Sequence, residues 1–291
     1  NGYNSGSRFG FKGKEDLGNG YSVSFVLENG FQSDSGKLGQ NDRMFGREAQ
    51  LKFHTPYGTL SFGRAGTLLS GAGTLDIFGM NADVLPGGWD GIFNIGNYQG
   101  NGMRLDNMVT YQTPTATGFT GYLQYSFAND TTDGDDDSHP NERSNNRYFA
   151  GGLTYNNGPL GVVVIYDTLM FRHYSDSQVG DVGGNDANVG DSRVLSVGGH
   201  YDFGSFKLTA FGQYVKGSRS GFGDGLGYSV PFWSDDSQFR TFYYDADGYN
   251  LTSAHKSRWI PGGASTSART TAILKPMTTT EILKPRTSTC S

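Results

Sequence analysis

The stretch FGREAQLKFHTPYGTLSFGR, residues 45–64, decides the class of fold, because its side chains alternate between two kinds. Up to residue 54, the apolar Ala49, Leu51 and Phe53 alternate with polar residues. Successive side chains of a strand point to opposite faces, so a period of two indicates a strand with one polar face. Pro-Tyr-Gly at residues 56–58 is a turn signal, and a second run follows it. The stretch therefore predicts a β-hairpin.

The same alternation continues on both sides of this hairpin. It predicts strands over residues 7–15, 21–31, 104–112, 118–127, 148–155, 160–167, 194–203 and 206–215, and weaker ones over 239–244 and 247–252. Short turns and long loops alternate between these strands. Transmembrane barrels have short turns at one rim and long loops at the other, whereas a soluble sandwich need not show that order.

The polar faces of these strands carry Arg, Lys, Glu, Gln, His and Asp side chains. Such residues are costly in a dry core but not around a water-filled passage. The opposite faces are rich in Phe, Tyr, Leu and Val, as a lipid-facing surface requires. We therefore expect an all-β fold, an antiparallel transmembrane β-barrel of about eleven strands, whose charged side lines the lumen.

Residues 65–103, AGTLLSGAGTLDIFGMNADVLPGGWDGIFNIGNYQGNGM, interrupt the strand pattern. An irregular insertion of this length in a regular chain is uncommon and usually functional. Its large apolar side chains are too numerous to remain in water: Leu68, Leu69, Leu75, Ile77, Phe78, Leu85, Trp89, Ile92 and Phe93. We expect this stretch, called the inserted segment below, to pack inside the barrel.

The composition excludes several classes of protein. A formal net charge of −5 argues against a nucleic-acid binder, and a single cysteine, Cys290, excludes an intrachain disulfide framework. The sequence contains no run of about 18 apolar residues, so no transmembrane helix is predicted, which leaves membrane strands open. No catalytic motif or metal-ligand spacing is legible, so we predict no catalytic residue, no cofactor and no metal. The chain starts at Asn1 without Met or a signal peptide, which suggests processing or a fragment.

Several basic residues are candidates for the wall of the lumen. Arg8, Lys12 and Arg104 share the parity of the polar faces. Arg64 shares the parity of an apolar face, and a bulge at Gly63 would be needed to turn it inward. Exposed strand charges are often inert, so these residues could equally be ordinary solvated charges.

Three aspartates of the inserted segment, Asp76, Asp83 and Asp90, could face these arginines across a gap. Opposed charges across a narrow aqueous passage create a transverse field that selects ions and orients dipolar solutes. Two of the aspartates have plainer alternatives, because Asp76 could cap a short helix and Asp90 could occupy a turn.

Four stretches carry a family likeness: SRFGFKGKEDLGNGYSVSFVLENGF, FGREAQLKFHTPYGTLSFGR, MRLDNMVTYQTP and GGHYDFGSFKLTAFGQYVKG. They resemble successive hairpins of the Gram-negative general porins of the proteobacterial type. DVLPGGWDG in the inserted segment resembles the centre of the third external loop of that family. The resemblance implies a homotrimeric, 16-stranded outer-membrane channel with that loop folded inward. It also implies contact with membrane lipids and lipopolysaccharide, and passage of small hydrophilic solutes and ions without catalysis.

The resemblance assigns roles to individual residues. The basic side of the pore constriction comprises Arg8, Lys12, Arg64 and Arg104. Asp83 matches an acidic residue of the facing loop. The second acidic residue of the family, directly after Leu-Pro, is Gly87 here, and Asp90 could replace it.

Both ends depart from the family pattern. The usual first strand is missing before Asn1, and residues 253–291 repeat Ile-Leu-Lys-Pro and are rich in Ser, Thr, Lys and Arg, as unstructured tails are. We predict a barrel portion over residues 1–252, with a constriction loop over 65–103, and a non-barrel tail over 253–291. A reading-frame shift within residues 251–258 would explain the tail, and a genuinely divergent tail is the alternative. An intact frame in the gene of independent isolates would refute the shift.

Other functions stay open at this point. An enzyme in an outer-membrane barrel would need a Ser/His or acidic site, but His54 and His200 lie on different predicted hairpins with no serine or cysteine motif beside them. A soluble β-sheet binding protein would remain in solution without detergent. An incomplete barrel could also be inactive, because open strand edges leave backbone groups without partners in lipid.

Overall fold

The computed structural model describes residues 6–69, 75, 77, 104–128, 146–170, 191–220, 243–257 and 269–270 of the 291. All strands in these ranges belong to one antiparallel sheet, and their spatial order follows the sequence. They are β1 (Arg8–Gly18), β2 (Tyr21–Gly30), β3 (Glu48–Thr55), β4 (Gly58–Gly66), β5 (Arg104–Gln112), β6 (Phe119–Ser126), β7 (Arg147–Asn157), β8 (Leu160–Met170), β9 (Ser192–Asp202), β10 (Phe206–Ser220), β11 (Tyr243–Ser257) and β12 (Arg269–Thr270). One short helix, α1 (Gly39–Asp42), lies between β2 and β3. No helix in the described ranges is long and apolar enough to cross a membrane.

The connections between strands alternate in length along the chain. Residues 19–20 link β1 to β2, and residues 56–57 link β3 to β4. In contrast, residues 31–47 separate β2 from β3, and residues 67–103 separate β4 from β5. The alternation of short turns and long loops that the sequence predicts is therefore confirmed. Because the strands are antiparallel, the long connections all begin at the same end of the strands.

The strand register arranges the side chains of each face in continuous rows. One row runs through Lys14, Ser24, Lys52, Ser61, Thr110, Gln124, Ala150, Asp167 and Val194. We call the side that carries this row the inner face. The neighbouring row of the outer face runs through Phe25, Leu51, Phe62, Val109, Tyr125 and Phe149. Directly opposed side chains in such rows are about 4.5–5.5 Å apart at Cβ, so they interact.

The two faces differ in burial. Buried inner-face residues include Gln50, Ser61, Thr110, Gln124, Ser126, Ala150, Val163, Ile165 and Val194. Exposed outer-face residues include Phe25, Leu51, Phe53, Phe62, Leu123, Val164, Tyr166 and Leu195. Exposed apolar rows of this extent are typical of a surface that meets lipid, and they agree with the predicted outward orientation of the apolar faces.

The sequence predicts a polar inner face on every strand, but on the later strands this face mixes polar and apolar side chains. Inner positions of β7–β10 hold apolar side chains, including Ala150, Val163, Ile165 and Phe211, each at most 2% exposed. These side chains belong to one apolar cluster with Leu68 of the inserted segment. The inner lysines and glutamates concentrate on β1–β3: Lys12, Lys14, Glu28, Glu48 and Lys52.

The last strands also differ from the prediction. β11 is one continuous strand, where the sequence predicts separate strands over 239–244 and 247–252. Its register with β10 shifts twice between Val215 and Ser220, and the two strands are paired on both sides of each shift. The strand ends at Ser257 rather than at residue 252, and β12 pairs with it. The division into a barrel portion and a tail stays a prediction.

Candidate functional site

The side chain of Gln124 holds the root of the inserted segment against the inner face. Its Oε1 accepts a hydrogen bond from the backbone N–H of Leu68 at 3.0 Å, and its Nε2 donates to the carbonyl oxygen of Gly66 at 3.0 Å. The same nitrogen lies 3.2 Å from Thr110 Oγ1. Where a chain leaves a sheet, its backbone N–H and C=O groups lose their partners on the neighbouring strand. Here the side-chain amide of Gln124 provides partners for two such backbone groups. Because Gln124 is only 1% exposed, these hydrogen bonds are shielded from water.

Apolar packing anchors the next residues of the inserted segment. Leu68, Leu69 and Ile77 are at most 2% exposed and share a cluster with inner-face side chains. Gly152 leaves room for them, because a Cβ at that position would lie 2.9 Å from Leu68 Cδ1 and 3.0 Å from Ile77 Cδ1. The prediction that the inserted segment packs inside the sheet is confirmed for these residues. Residues 70–74, 76 and 78–103 lie outside the described ranges.

Two of the predicted basic residues, Arg8 and Lys12, lie on the inner face of β1, and both are exposed. Arg8 Nη1 is 3.9 Å from Glu28 Oε1, and the Arg8 side chain is 37% exposed. Glu28 also accepts a hydrogen bond from Arg47 Nε at 2.5 Å. This exposure leaves the Arg8 guanidinium in contact with solvent. An ion pair that is exposed to this extent contributes at most about 1 kcal/mol to stability.

Arg64 lies in an environment that differs from the predicted one. Its register partner on β3 is Ala49, which shares the outer face with Leu51, two positions further along the strand. The irregularity that the sequence predicts at Gly63 is present in the β4–β5 ladder, but the additional residue lies on β5, at residues 106–107. By register Arg64 therefore keeps the parity of Ala49 and Phe62. Its place in the pore-wall cluster stays a prediction.

Asp106 joins Arg64 to a second arginine, Arg43. Arg64 Nη1 lies 2.7 Å from Asp106 Oδ1, and Arg43 Nη1 donates to both carboxylate oxygens at 2.7 and 2.8 Å. Arg64 Nε donates to the Gly46 carbonyl oxygen at 2.7 Å. The side chains are 9–17% exposed, so the cluster is almost closed to water. It ties the loop between β2 and β3 to the bulge of β5.

Arg104 lies where the inserted segment returns to the sheet. Its register partner is Gly66, so the additional residue at 106–107 moves Arg104 out of the parity with Thr110 that the sequence suggests. It is 5% exposed, so protein surrounds it at the base of the segment. Asp76, Asp83 and Asp90, the predicted acidic partners, lie outside the described residues. The opposition of charges across the passage therefore stays a prediction.

Glu48 is a buried charge that the sequence analysis did not single out. It is 2% exposed, accepts a hydrogen bond from Gln50 Nε2 at 2.6 Å and lies 3.5 Å from Lys52 Nζ. These three residues share one face of β3, because side chains two positions apart point to the same side. The spacing Glu-x-Gln-x-Lys in the sequence could have indicated that these three side chains lie together on one face of the strand.

His54 contacts a serine that no local sequence motif indicates. Its Nε2 lies 2.7 Å from Ser24 Oγ, and its Nδ1 lies 3.1 Å from Thr59 Oγ1. Ser24 belongs to the preceding hairpin, so local spacing could not reveal the pair. In a Ser–His–carboxylate triad, a carboxylate holds the second nitrogen and stabilises the imidazolium. Within the described residues, the Thr59 hydroxyl occupies that position instead.

Comparisons with known proteins identify the family. A family model described as Gram-negative porin matches residues 1–270. An outer membrane porin protein of Bordetella pertussis is 35% identical over 272 residues, which cover 91% of this chain and 66% of that protein. Outer membrane porin protein 32 of Delftia acidovorans is 30% identical over 223 residues, 76% of this chain and 57% of that protein. The chain spans at most 66% of the length of these two relatives.

Solved structures are similar in fold. An anion-selective porin from Comamonas acidovorans matches with a TM-score of 0.53 at 23% identity, covering 87% of this chain and 64% of that one. The trimer form of OmpT, an outer membrane protein of Vibrio cholerae, gives a TM-score of 0.52 at 14% identity, covering 88% and 65%. The described sheet is thus part of an antiparallel transmembrane β-barrel, with β1 and β12 as its edges.

The names of the relatives place them in the bacterial outer membrane, the location that the sequence predicts for this chain. The family model covers far more than half of the residues. It confirms the resemblance seen in the four hairpin stretches. The chain belongs to the Gram-negative porin family.

Proposed function

We propose that the protein forms an outer-membrane diffusion channel for small hydrophilic solutes and ions. The observation that carries this proposal is the anchoring of the inserted segment on the inner face, by the hydrogen bonds of Gln124 and the burial of Leu68. A segment held there narrows the passage that the sheet encloses. Solutes larger than the narrowed passage are then excluded by size.

The charged wall biases this passage. The basic side comprises Arg8, Lys12, Arg64 and Arg104, and the acidic side comprises Asp83 and Asp90. Opposed charges across a narrow aqueous gap create a transverse field that favours some ions and orients dipolar solutes. Arg8 and Lys12 contribute most of the basic field, because both are exposed on the inner face, whereas Arg64 is bound to Asp106.

The proposed channel carries out no chemistry. The Ser24–His54 pair, whose second nitrogen contacts a hydroxyl group, is better explained as a structural contact than as a nucleophile with its base. The exposed apolar rows of the outer face favour a membrane protein over a soluble binding protein. An inactive fragment remains the competing possibility to be tested.

The outer face would contact membrane lipids and lipopolysaccharide, and three copies would assemble as a homotrimer. The exposed apolar rows support the lipid contact. The trimer form of OmpT, which shares the fold, supports the assembly. No nucleic-acid partner is proposed, given the net charge of −5.

Ion selectivity in planar lipid bilayers tests the proposed channel. Replacing Arg8 and Lys12 together by Gln removes two exposed positive charges from the inner face. We expect the ratio of cation to anion permeability to rise at least about twofold, because the wall attracts anions less strongly. The zero-current potential across a KCl gradient measures this ratio.

Lys37→Gln is the control for this measurement, since Lys37 is exposed in the loop between β2 and β3. It should leave the zero-current potential unchanged. Channels with equal selectivity in the double variant and the unmodified chain would contradict the role of the basic wall. Absence of any conductance from the unmodified chain would favour the inactive fragment.

A further inference from the structure

Gly152 lies on the inner face of β7, against the root of the inserted segment. Its register partners are Tyr122 on β6 and Ile165 on β8. A Cβ at this position would lie 2.9 Å from Leu68 Cδ1 and 3.0 Å from Ile77 Cδ1. Carbon atoms in good contact are about 3.5–4.0 Å apart. The segment therefore occupies space that any other side chain at residue 152 would need.

The two side chains that lie over Gly152 are enclosed by protein. Leu68 is 0% exposed and Ile77 is 1% exposed, and both belong to the apolar cluster that includes Ile165. Gln124, on the neighbouring strand, accepts a hydrogen bond from the Leu68 backbone N–H at 3.0 Å. Protein interiors are closely packed, so a methyl group added here displaces its neighbours rather than filling a void.

The neighbouring glycine, Gly151, has different surroundings. It belongs to an outer-face row with Leu123 and Tyr166, both of which are exposed. A Cβ at residue 151 would lie 3.8 Å from Leu123 Cδ2, which is ordinary van der Waals contact. Two adjacent glycines thus differ in the side chains that they tolerate, and Gly152 is the one that lies against the segment.

We propose that Gly152 is a positioning residue, which sets how far the inserted segment lies from the wall and thereby sets the width of the passage. A methyl group at residue 152 would displace Leu68 toward the lumen by about 0.6 Å, the difference between 2.9 Å and ordinary contact. A larger side chain would displace the segment further and narrow the passage more. This inference rests on the proposed function, since the width of the passage matters to a channel.

Thiol labelling of the full chain in detergent micelles tests the close packing without requiring conduction. Leu69→Cys, combined with Cys290→Ser, places the probe in the segment root, where Leu69 is 2% exposed. A maleimide reaches this thiol when the root opens, so the labelling rate follows the open population. Gly152→Ala should raise the rate about fivefold. Gly151→Ala is the matched control on the same strand and should leave the rate unchanged.

A double-variant cycle shows whether the effect arises at the contact itself. Ile77→Val removes the Cδ1 methyl group, which lies 3.0 Å from the position of the added Cβ. Alone, Ile77→Val should also raise the labelling rate, because it leaves a cavity. Together with Gly152→Ala it should give labelling no faster than Gly152→Ala alone, since the two changes compensate in volume. Effects that multiply would show that the two residues act independently and would overturn the proposed contact.

Swelling of liposomes that contain the chain tests the effect on width. The ratio of the swelling rates in raffinose and in arabinose, a trisaccharide and a monosaccharide, depends on the width of the passage and not on the number of channels. We expect Gly152→Ala to lower this ratio at least about twofold, because the larger sugar is excluded more strongly. Gly152→Val should lower it further, and Gly151→Ala should leave it unchanged.

The outcomes separate this inference from the channel proposal. If liposomes with the unmodified chain swell in neither sugar, the channel and the control of its width both fail, and the labelling rates still decide whether Gly152 positions the segment. Faster labelling of Gly152→Ala with an unchanged or higher sugar ratio would overturn the control of width. Equal labelling rates in Gly152→Ala and Gly151→Ala would overturn the positioning role, even in a chain that conducts.

Discussion

Replacing Asp106 by Asn is expected to lower the free energy of unfolding by about 3 kcal/mol. The carboxylate is 9% exposed and binds two arginine side chains that are 16–17% exposed. Removal of the negative charge leaves both guanidinium groups nearly enclosed without their shared counterion. Breaking a buried pair in this way costs about 3–5 kcal/mol, and the remaining exposure of the arginines places the effect at the lower end.

Urea unfolding in detergent micelles, followed by far-UV circular dichroism, measures this change. Asp34→Asn is the control, because Asp34 is exposed in the loop after β2. It should change the unfolding free energy by less than about 0.5 kcal/mol. If Asp106→Asn unfolds at the same urea concentration as Asp34→Asn, the ion cluster does not hold the loop to β5.

Replacing Gln124 by Leu is expected to release the root of the inserted segment from the wall. Leu has a similar size but cannot bond the N–H of Leu68 or the carbonyl of Gly66, which Gln124 binds at 3.0 Å each. A buried backbone group without its partner costs about 1–3 kcal/mol. A loss of about 2 kcal/mol makes the open state about 30-fold more populated.

Limited proteolysis by chymotrypsin measures the release, because residues 65–103 contain several aromatic residues. Cleavage follows the population of the open state when opening and closing are fast, so it should accelerate about 30-fold. Gln112→Leu is the matched control on the inner face of β5. Equal cleavage rates in the two variants would show that the Gln124 amide does not hold the segment.

The strands could be predicted because their two faces meet different surroundings. Where one face is polar and the other apolar, as in β3, the period of two is visible in the sequence. β8 is a harder case, because LGVVVIYDTLM is apolar on both faces. Its outer side is exposed and its inner side packs against the inserted segment. The sequence predicts that the inserted segment lies inside, but it does not show which strands that segment contacts.

The surroundings of Arg64 could not be predicted, because they depend on a bulge in another strand. The additional residue on β5 has no distinct local signal, although Asn107 adopts a left-handed conformation with φ of 49° that asparagine tolerates. The partner Arg43 lies 63 residues before Asp106 in the chain. The Ser24–His54 contact is similar, since its two residues are 30 positions apart. Contacts of this kind arise from the register of whole strands.

Cross-linking of the inserted segment to one or the other face of the sheet tests the central claim most directly. Leu68→Cys is combined with Ile165→Cys, which is buried on the inner face directly opposite Gly152, or with Val164→Cys, the next residue along β8, which is exposed on the outer face. Cys290→Ser removes the native thiol from both variants. With a short bifunctional thiol reagent, we expect the Ile165 pair to form an internal cross-link and the Val164 pair to form none. A cross-link between Leu68→Cys and Val164→Cys, with none to Ile165→Cys, would place the segment outside the sheet and contradict a passage narrowed from within.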